Sequence, residues 1–328
     1  MNVSPSKLFS IIIPVYNGEK YVVRCLSSIY SQGIEECVFE VIIVNDGSID
    51  ATERIVRELQ LTYDNLVLIT QENSGVSVAR NKAVEASSGK FVIFMDVDDE
   101  LVQSSLNRII ATLKTYDGDL LITNQIDCLR GAMSKRTVQG LLPGRNYSGI
   151  DAFQSGYQRM NAGGAICKRK FILEHNIQFP DDIPNGEDTI FFSVFQTMSK
   201  ELRYEDIDFY NIHLEDGSAS RRNDDKRILG QEKAVGYVNN LRHTIGGKYD
   251  LRIIEYTLYL LLSNYVNVVL SSKKVHYRRV NDFIRDCQVL PIHYTCFNSK
   301  IHKLKAFILN TSPWLFYYLA SVKNKFAK

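Results

Sequence analysis

Lys90–Asp99 reads KFVIFMDVDD. Its five apolar residues, Phe91–Met95, have the length of a strand buried on both faces. The run ends without a break in three carboxylates, Asp96, Asp98 and Asp99. A helical pattern over Leu101–Lys114 follows. The same grammar recurs upstream. Phe9–Val15 (FSIIIPV) precedes a helical spacing over Glu19–Gln32, and Phe39–Val44 (FEVIIV) precedes the polar turn NDGSID and a helix over Ala51–Leu61. Leu66–Thr70 precedes a helix over Val76–Ser87, and Asp119–Thr123 (DLLIT) reads as a fifth strand. This βαβαβαβαβ order predicts an open, mostly parallel sheet with right-handed crossovers and helices on both faces. Ligands of such sheets sit at the carboxyl ends of the strands.

The rest of the chain has a different texture. Residues 124–160 lose the alternation and read as a hairpin excursion or loop. Regularity returns at Gly163–Lys168, with helices near Lys170–His175 and over Asp188–Met198, and from Asp224 the pattern is almost wholly helical. The expected division is an α/β domain over 1–220 and a basic, mainly helical region over 221–328. Charge supports that division: residues 1–220 hold 20 basic against 30 acidic side chains, and residues 221–328 hold 19 against 7. Such a split points to two parts facing different partners. With 45% hydrophobic and 23% charged residues, the 328-residue chain is no disordered, collagen-like or polytopic membrane protein. Its six cysteines show no Cys-x-x-Cys pair and read as buried hydrophobes in a reducing compartment. The start, MNVSPSKLFS, shows no signal-peptide pattern, so the expected location is the cytoplasm.

Four polar clusters fall at the predicted strand ends: Pro14-Val15-Tyr16-Asn17, Asn45-Asp46-Gly47-Ser48 with Asp50, Asn73-Ser74-Gly75 running into Arg80, and Asp96-Val97-Asp98-Asp99. Taken alone, Asp-Gly-Ser is most often a turn and helix cap, and Arg80 could be a surface arginine paired with an acid. The acidic cluster resists that reading. Three adjacent carboxylates repel one another unless a cation or solvent intervenes, and one helix start can cap only one of them. Hard oxygen donors of this kind suit Mg²⁺ or Mn²⁺ shared with substrate phosphates. A solvated acidic turn is the alternative.

The set PVYN, NDGSID, NSGVSVARN and DVDD, in this order and on these elements, resembles a family 2 glycosyltransferase with the GT-A fold, over about residues 8–220. The resemblance implies transfer of a sugar from a nucleotide diphosphate donor with inversion at the anomeric carbon. It also implies roles. Pro14, Val15, Tyr16 and Asp46 would bind the nucleobase, a carboxylate being able to accept the N3–H of uracil. Arg80 would approach the nucleotide, Asp96 would bind ribose or support a divalent cation (Mn²⁺ or Mg²⁺), and Asp98 would ligate it. Asp99 reads as a cap or supporting group. In NGEDTIFF, Glu187 and Asp188 resemble the family's acidic pair, Asp188 being the base and Glu187 orienting acceptor or base. Taken alone, they could simply complement a helix dipole. His213 stands where family members often have Arg, a departure; it could contact the diphosphate, ligate the metal or be a loop histidine without function. The Gly217–Ser220 loop follows it.

Three other readings compete. A nucleotidyltransferase also binds nucleotide and Mg²⁺, but the turn after the first strand is YNGEKY rather than a Gly-rich basic loop; a dinucleotide dehydrogenase lacks its Gly-x-Gly-x-x-Gly there. A non-catalytic, transferase-like binding subunit is the third. The expected partners are a UDP-sugar donor and a glycan or lipid-linked glycan acceptor in cell-surface polysaccharide synthesis, such as capsule or lipopolysaccharide; no nucleic acid partner is expected. In the basic tail, Lys273-Lys274 and Arg278-Arg279 precede KIHKLKAFILNTSPWLFYYLASVKNKFAK, which Pro313 and Lys305 interrupt. It is too broken for a spanning helix. Aromatics between lysines fit peripheral contact with the inner face of a membrane. The alternative is a helix packed on the catalytic domain or on a second subunit of a homodimer.

Overall fold

The computed structural model describes residues 7–158, 161–214, 225–271, 277–295 and 297–326. The Gly217–Ser220 loop, the Lys273-Lys274 run and Cys296 lie outside the described residues. The chain forms two compact units. One comprises residues 1–152, 161–181 and 199–216; the other comprises 153–160, 182–198 and 217–328.

The first unit is built on a ten-stranded mixed sheet. Its parallel half is β3 (Leu66–Gln71), β2 (Phe39–Asp46), β1 (Phe9–Val15) and β4 (Phe91–Phe94), in that spatial order. All seven residues of β1 are buried, because a strand between two parallel neighbours has no wet face. The helices α1 (Val22–Tyr30), α2 (Thr52–Gln60), α3 (Val76–Ala86) and α4 (Ser105–Leu113) intervene in sequence. In α1, Val22, Cys25, Leu26 and Ile29 are buried at the i, i+3, i+4, i+7 spacing of a core-facing stripe. Each fully buried Ile, Leu or Phe contributes roughly 1.5–3 kcal/mol of burial. Register brings Val15 beside Asn45 and Asp46 beside Gln71, so the polar motifs emerge along one edge.

The second half departs from the simple alternation. The expected fifth strand is β6 (Leu120–Leu129), but it does not pair with β4. Between them lies β9 (Ala165–Lys168), antiparallel to both. β6 also runs on into a hairpin with β7 (Ala132–Arg136) through Arg130 and Gly131, at φ 49° and 81°. Two successive positive-φ residues make the tight turn whose twist suits paired strands. The longest strand, β10 (Leu202–His213), was not expected. It runs parallel to β6, and antiparallel to the short β5 (Glu100–Leu101) and β8 (Asn146–Tyr147). Register shifts between Tyr204 and Tyr210 interrupt its alternation. The short α5 (Gly149–Gln154) and α6 (Arg169–Glu174) complete the list up to residue 181.

The second unit is helical: α7 (Glu187–Met198), α8 (Asp225–Ile245), α9 (Arg252–Ser271), α10 (Tyr277–Asp286), α11 (Lys300–Thr311) and α12 (Pro313–Phe326). The chain therefore does not pass from one unit to the other at a single point near residue 220, because α7 clusters with the later helices. Its sequence, EDTIFFSVFQTM, leaves apolar groups around most of its circumference, and Ser193 Oγ lies 2.7 Å from Thr257 Oγ1 on α9. By length and composition α9 could cross a membrane, but 67% of its apolar window is buried inside the protein. It is the core helix of this unit, contributing Leu258, Leu262 and Tyr265. Among the described cysteines, Cys25 and Cys167 are buried as expected, whereas Cys37 is exposed.

Candidate functional site

The turns after β1 and β2 lock together. Asn17 N–H donates to Ser48 Oγ (2.9 Å) and Ile49 N–H donates back to Asn17 Oδ1 (2.9 Å). Glu19 N–H donates to Asp50 Oδ2 (3.1 Å), and Ala51 N–H donates to Glu19 Oε2 (2.9 Å). Gly47 is at φ 71°, and a Cβ there would stand 2.8 Å from the Asn73 amide nitrogen; the Asp-Gly-Ser turn needs glycine for both reasons. Of the predicted nucleobase segment, Pro14 and Val15 are buried strand residues, while Tyr16 is 51% exposed and free to offer its ring.

Asp46, only 4% exposed, ends β2 and organises the next loop. Its Oδ1 accepts from Gln71 Nε2 and the Ser74 N–H, and its Oδ2 from the Gly75 N–H, each at 2.8 Å. Asn73 Nδ2 donates to its carbonyl (3.0 Å). The amides leading into α3, a helix start that favours an anion, are thus engaged by a carboxylate of the protein. One turn further, Arg80 is only 3% exposed and donates from Nη2 to Asp96 Oδ1 at 2.8 Å. Its guanidinium also lies 5.0 Å from the centre of the Phe179 ring.

The acidic turn is held from three sides. Arg24 on α1 donates to the Asp98 carbonyl (2.6 Å) and pairs with Glu100 (2.8 Å). From β10, the Tyr210 hydroxyl accepts the Asp96 N–H (2.9 Å) and bonds the Asp99 carboxyl. The His213 N–H donates to Asp99 Oδ1 (2.9 Å). Burial, followed by the charge of Asp96, pushes the Asp99 carboxyl up to about 8, against the opposing bonds from His213 and Tyr210. Burial also raises the Cys25 thiol and the Tyr210 hydroxyl. Asp99 is therefore the supporting member of the trio, whereas Asp96 keeps a side chain 49% exposed and Asp98 is half-buried.

Among the described residues no three His, Cys, Asp or Glu side chains already stand as a metal cage. Asp96 and Asp98 nonetheless fit a hard cation that takes one or two protein carboxylates and completes its shell with phosphate and water. The His213 ring lies with Nε2 3.0 Å from Glu100 Oε1, close but not aligned as a hydrogen bond. It reaches the acidic turn through its backbone amide rather than through its ring. Arg24, Glu100 and Tyr210 were not foreseen. Tyr210 belongs to the missed strand, and Arg24 looks in sequence like any polar residue on a surface helix.

Glu187 and Asp188 open α7, both half-buried, in the second unit. Ile190 N–H donates to the Gly186 carbonyl (3.0 Å), closing the first turn beneath them.

The sequence profile described as glycosyl transferase family 2 matches residues 10–174. Glycosyltransferase GlyA of Streptococcus pneumoniae serotype 4 is 28% identical over 65% of this chain, which spans only 31% of GlyA's length. YibD of Escherichia coli K12, an uncharacterized glycosyltransferase, is 27% identical over 77% of this chain and 75% of its own. Residues 1–349 of Staphylococcus aureus TarS, crystallised with UDP-GlcNAc, superpose with a TM-score of 0.70 at 20% identity. That likeness covers 98% of this chain and 92% of the TarS fragment, and at such identity it speaks for the fold, GT-A, alone.

Proposed function

This chain belongs to glycosyl transferase family 2, and on that premise we propose that it transfers a sugar, with inversion, from a UDP-sugar to a hydroxyl of a glycan or lipid-linked glycan. The observation that carries the reading is the convergence of Tyr16, Asp46, Arg80, Asp96 and Asp98 at the carboxyl ends of β1, β2 and β4. A doubly wound sheet binds its ligand there. Family membership sets aside the nucleotidyltransferase alternative.

Tyr16 offers its ring to the base, and Asp46 Oδ2, which takes one bond from Gly75, retains capacity for the uracil N3–H. The UDP-GlcNAc in the TarS crystal supports a UDP-sugar donor. Asp96 and Asp98 would hold a Mn²⁺ or Mg²⁺ ion, with His213 available as a further donor in exchange for its contact with Glu100; bound there, the ion would supply positive charge against the departing diphosphate. Asp188 takes the proton of the acceptor hydroxyl as its oxygen attacks the anomeric carbon. The bond to the diphosphate breaks on the opposite face, and its electron pair leaves with the phosphate oxygen. Glu187 orients acceptor or base. The acceptor is a growing cell-surface polysaccharide, and the reaction runs in the cytoplasm; TarS, named a poly(ribitol-phosphate) β-N-acetylglucosaminyltransferase, supports a polymer of that class.

The test is a panel of nucleotide sugars, with Mn²⁺ or Mg²⁺, read as UDP release. Release from one donor, stimulated by the ion, is expected. Asp188→Asn should retain donor affinity and lose transfer by roughly 10²–10⁴-fold. Transfer at the wild-type rate in that variant removes Asp188 as the base. Donor binding without turnover by the wild type, under every acceptor tried, would favour the non-catalytic subunit.

A further inference from the structure

The last two helices of the second unit pack apolar residues inward and carry a second set of large apolar residues on the outside. In α11 the buried positions are Ala306 and Leu309. Away from them, Ile301, Leu304, Lys305 and Ile308 follow the i, i+3, i+4, i+7 spacing of a single face. Ile301 is 65% exposed, Leu304 58% and Phe307 47%. In α12 Phe316 turns inward, whereas Trp314, Leu315, Tyr318 and Leu319 all stay exposed. Trp314 and Tyr318 stack on each other in that exposed position, with ring centres 5.4 Å apart. Between α9, α11 and α12 lies a mostly apolar cleft of about 280 Å³, lined by Leu304, Ile308, Phe316 and Leu319, with Lys305 among its walls.

Contiguous exposed apolar surface of this kind marks an interaction site, and charge selects the occupant. After Asp286 the chain has six lysines, Lys300, Lys303, Lys305, Lys323, Lys325 and Lys328, and no Asp or Glu. A second copy docking through the same patch would bring like charges together. An anionic polymer would satisfy the lysines but leave Leu304 and Trp314 in water. The interface of an anionic bilayer satisfies both: indole, phenol and leucine side chains sit at headgroup depth, and lysines meet lipid phosphates. We propose that α11 and α12 form a membrane-docking element that binds the surface of a bilayer containing anionic lipid, with the α9–α11–α12 cleft open to an acyl chain. The element lies on the surface and does not span it, since the chain breaks at Ser312 into two helices of 12 and 14 residues, the second opening on Pro313. Docking of this kind would hold the enzyme where a lipid-linked acceptor is confined.

The test is co-sedimentation of the full chain with phosphatidylcholine vesicles and with vesicles that also contain phosphatidylglycerol. Binding is expected only to the anionic vesicles, and it should weaken as salt is raised. Leu304→Ser with Trp314→Ser should abolish it. Lys303→Glu with Lys305→Glu should reduce it by well over tenfold, each lysine near an anionic surface being worth roughly a factor of five. UDP release, measured without vesicles, should be unchanged in both variants, so failure of docking is separable from failure of the transferase reading. Equal binding to both vesicle types, binding to neither, or binding that survives both double variants overturns the proposal. So does a dimer in solution that Leu304→Ser with Trp314→Ser dissociates while vesicles remain unbound.

Discussion

The carboxyl edge of the sheet and the α11–α12 pair treat their polar and apolar groups in opposite ways. At the sheet edge the key carboxylates are held by other segments: Asp46 by Ser74 and Gly75, Asp96 by Arg80 and Tyr210, Asp99 by His213. Beneath it the apolar side chains of β1 and β2 are fully enclosed. At α11 and α12 the inward faces are sparse and the apolar residues look outward. A preorganised site for a small charged ligand needs the first arrangement, since unclaimed dipoles would have to reorient on binding. A surface that meets a partly apolar phase needs the second.

Substitutions can break or sharpen this contrast. The largest effect is expected from Asp98→Asn, which should cost ion-stimulated UDP release about a hundredfold or more; ion titration of UDP release checks it. Retention of full ion-stimulated activity would remove the acidic turn from the site. Next, Ile43→Ala, at a position with no exposed surface in β2, should destabilise the protein by about 2–5 kcal/mol in denaturant unfolding. Tyr210→Phe comes third. It removes the hydroxyl shared by the Asp96 amide and the Asp99 carboxyl, and a loss of about 1–3 kcal/mol in the same measurement is expected. The smallest effect belongs to Leu304→Ser, whose stability should change by no more than about 0.5 kcal/mol because the side chain is already wet. Equal losses for Ile43→Ala and Leu304→Ser would erase the contrast, since α11 would then be packed as a core helix is.

The parallel half of the sheet was readable because β1, β2 and β4 are continuous apolar runs, each closed by a turn motif. The insertion of β9 between β4 and β6 was not readable. AICK is four residues long and nothing local tells an antiparallel strand from a parallel one. β10 escaped for another reason. Charged Glu205, Asp206 and Asp208 interrupt LRYEDIDFYNIH just where its register shifts, so strict period-two alternation fails. With β10 went Tyr210, the residue that ties the acidic turn to the far side of the sheet. Asp46, Arg80, Asp96 and Asp98 were recognisable because four motifs agree in order. The engagement of Asp46 with the loop before α3 depends on tertiary approach, which no single motif encodes. The outward apolar faces of α11 and α12 could be suspected from aromatics among lysines, but only exposure separates a docking face from a packed one.

The reciprocal hydrogen bonds between the first two turns have a dynamic consequence. The amides of Asn17 and Glu19 are held by Ser48 and Asp50, and those of Ile49 and Ala51 by Asn17 and Glu19. Neither turn can swing away while the other stays closed, so the two should open as one cooperative unit. In amide hydrogen exchange these four protons, although spread over two loops some thirty residues apart in sequence, should share one protection factor and one opening rate. A base ring entering over Tyr16 would then slow all four together.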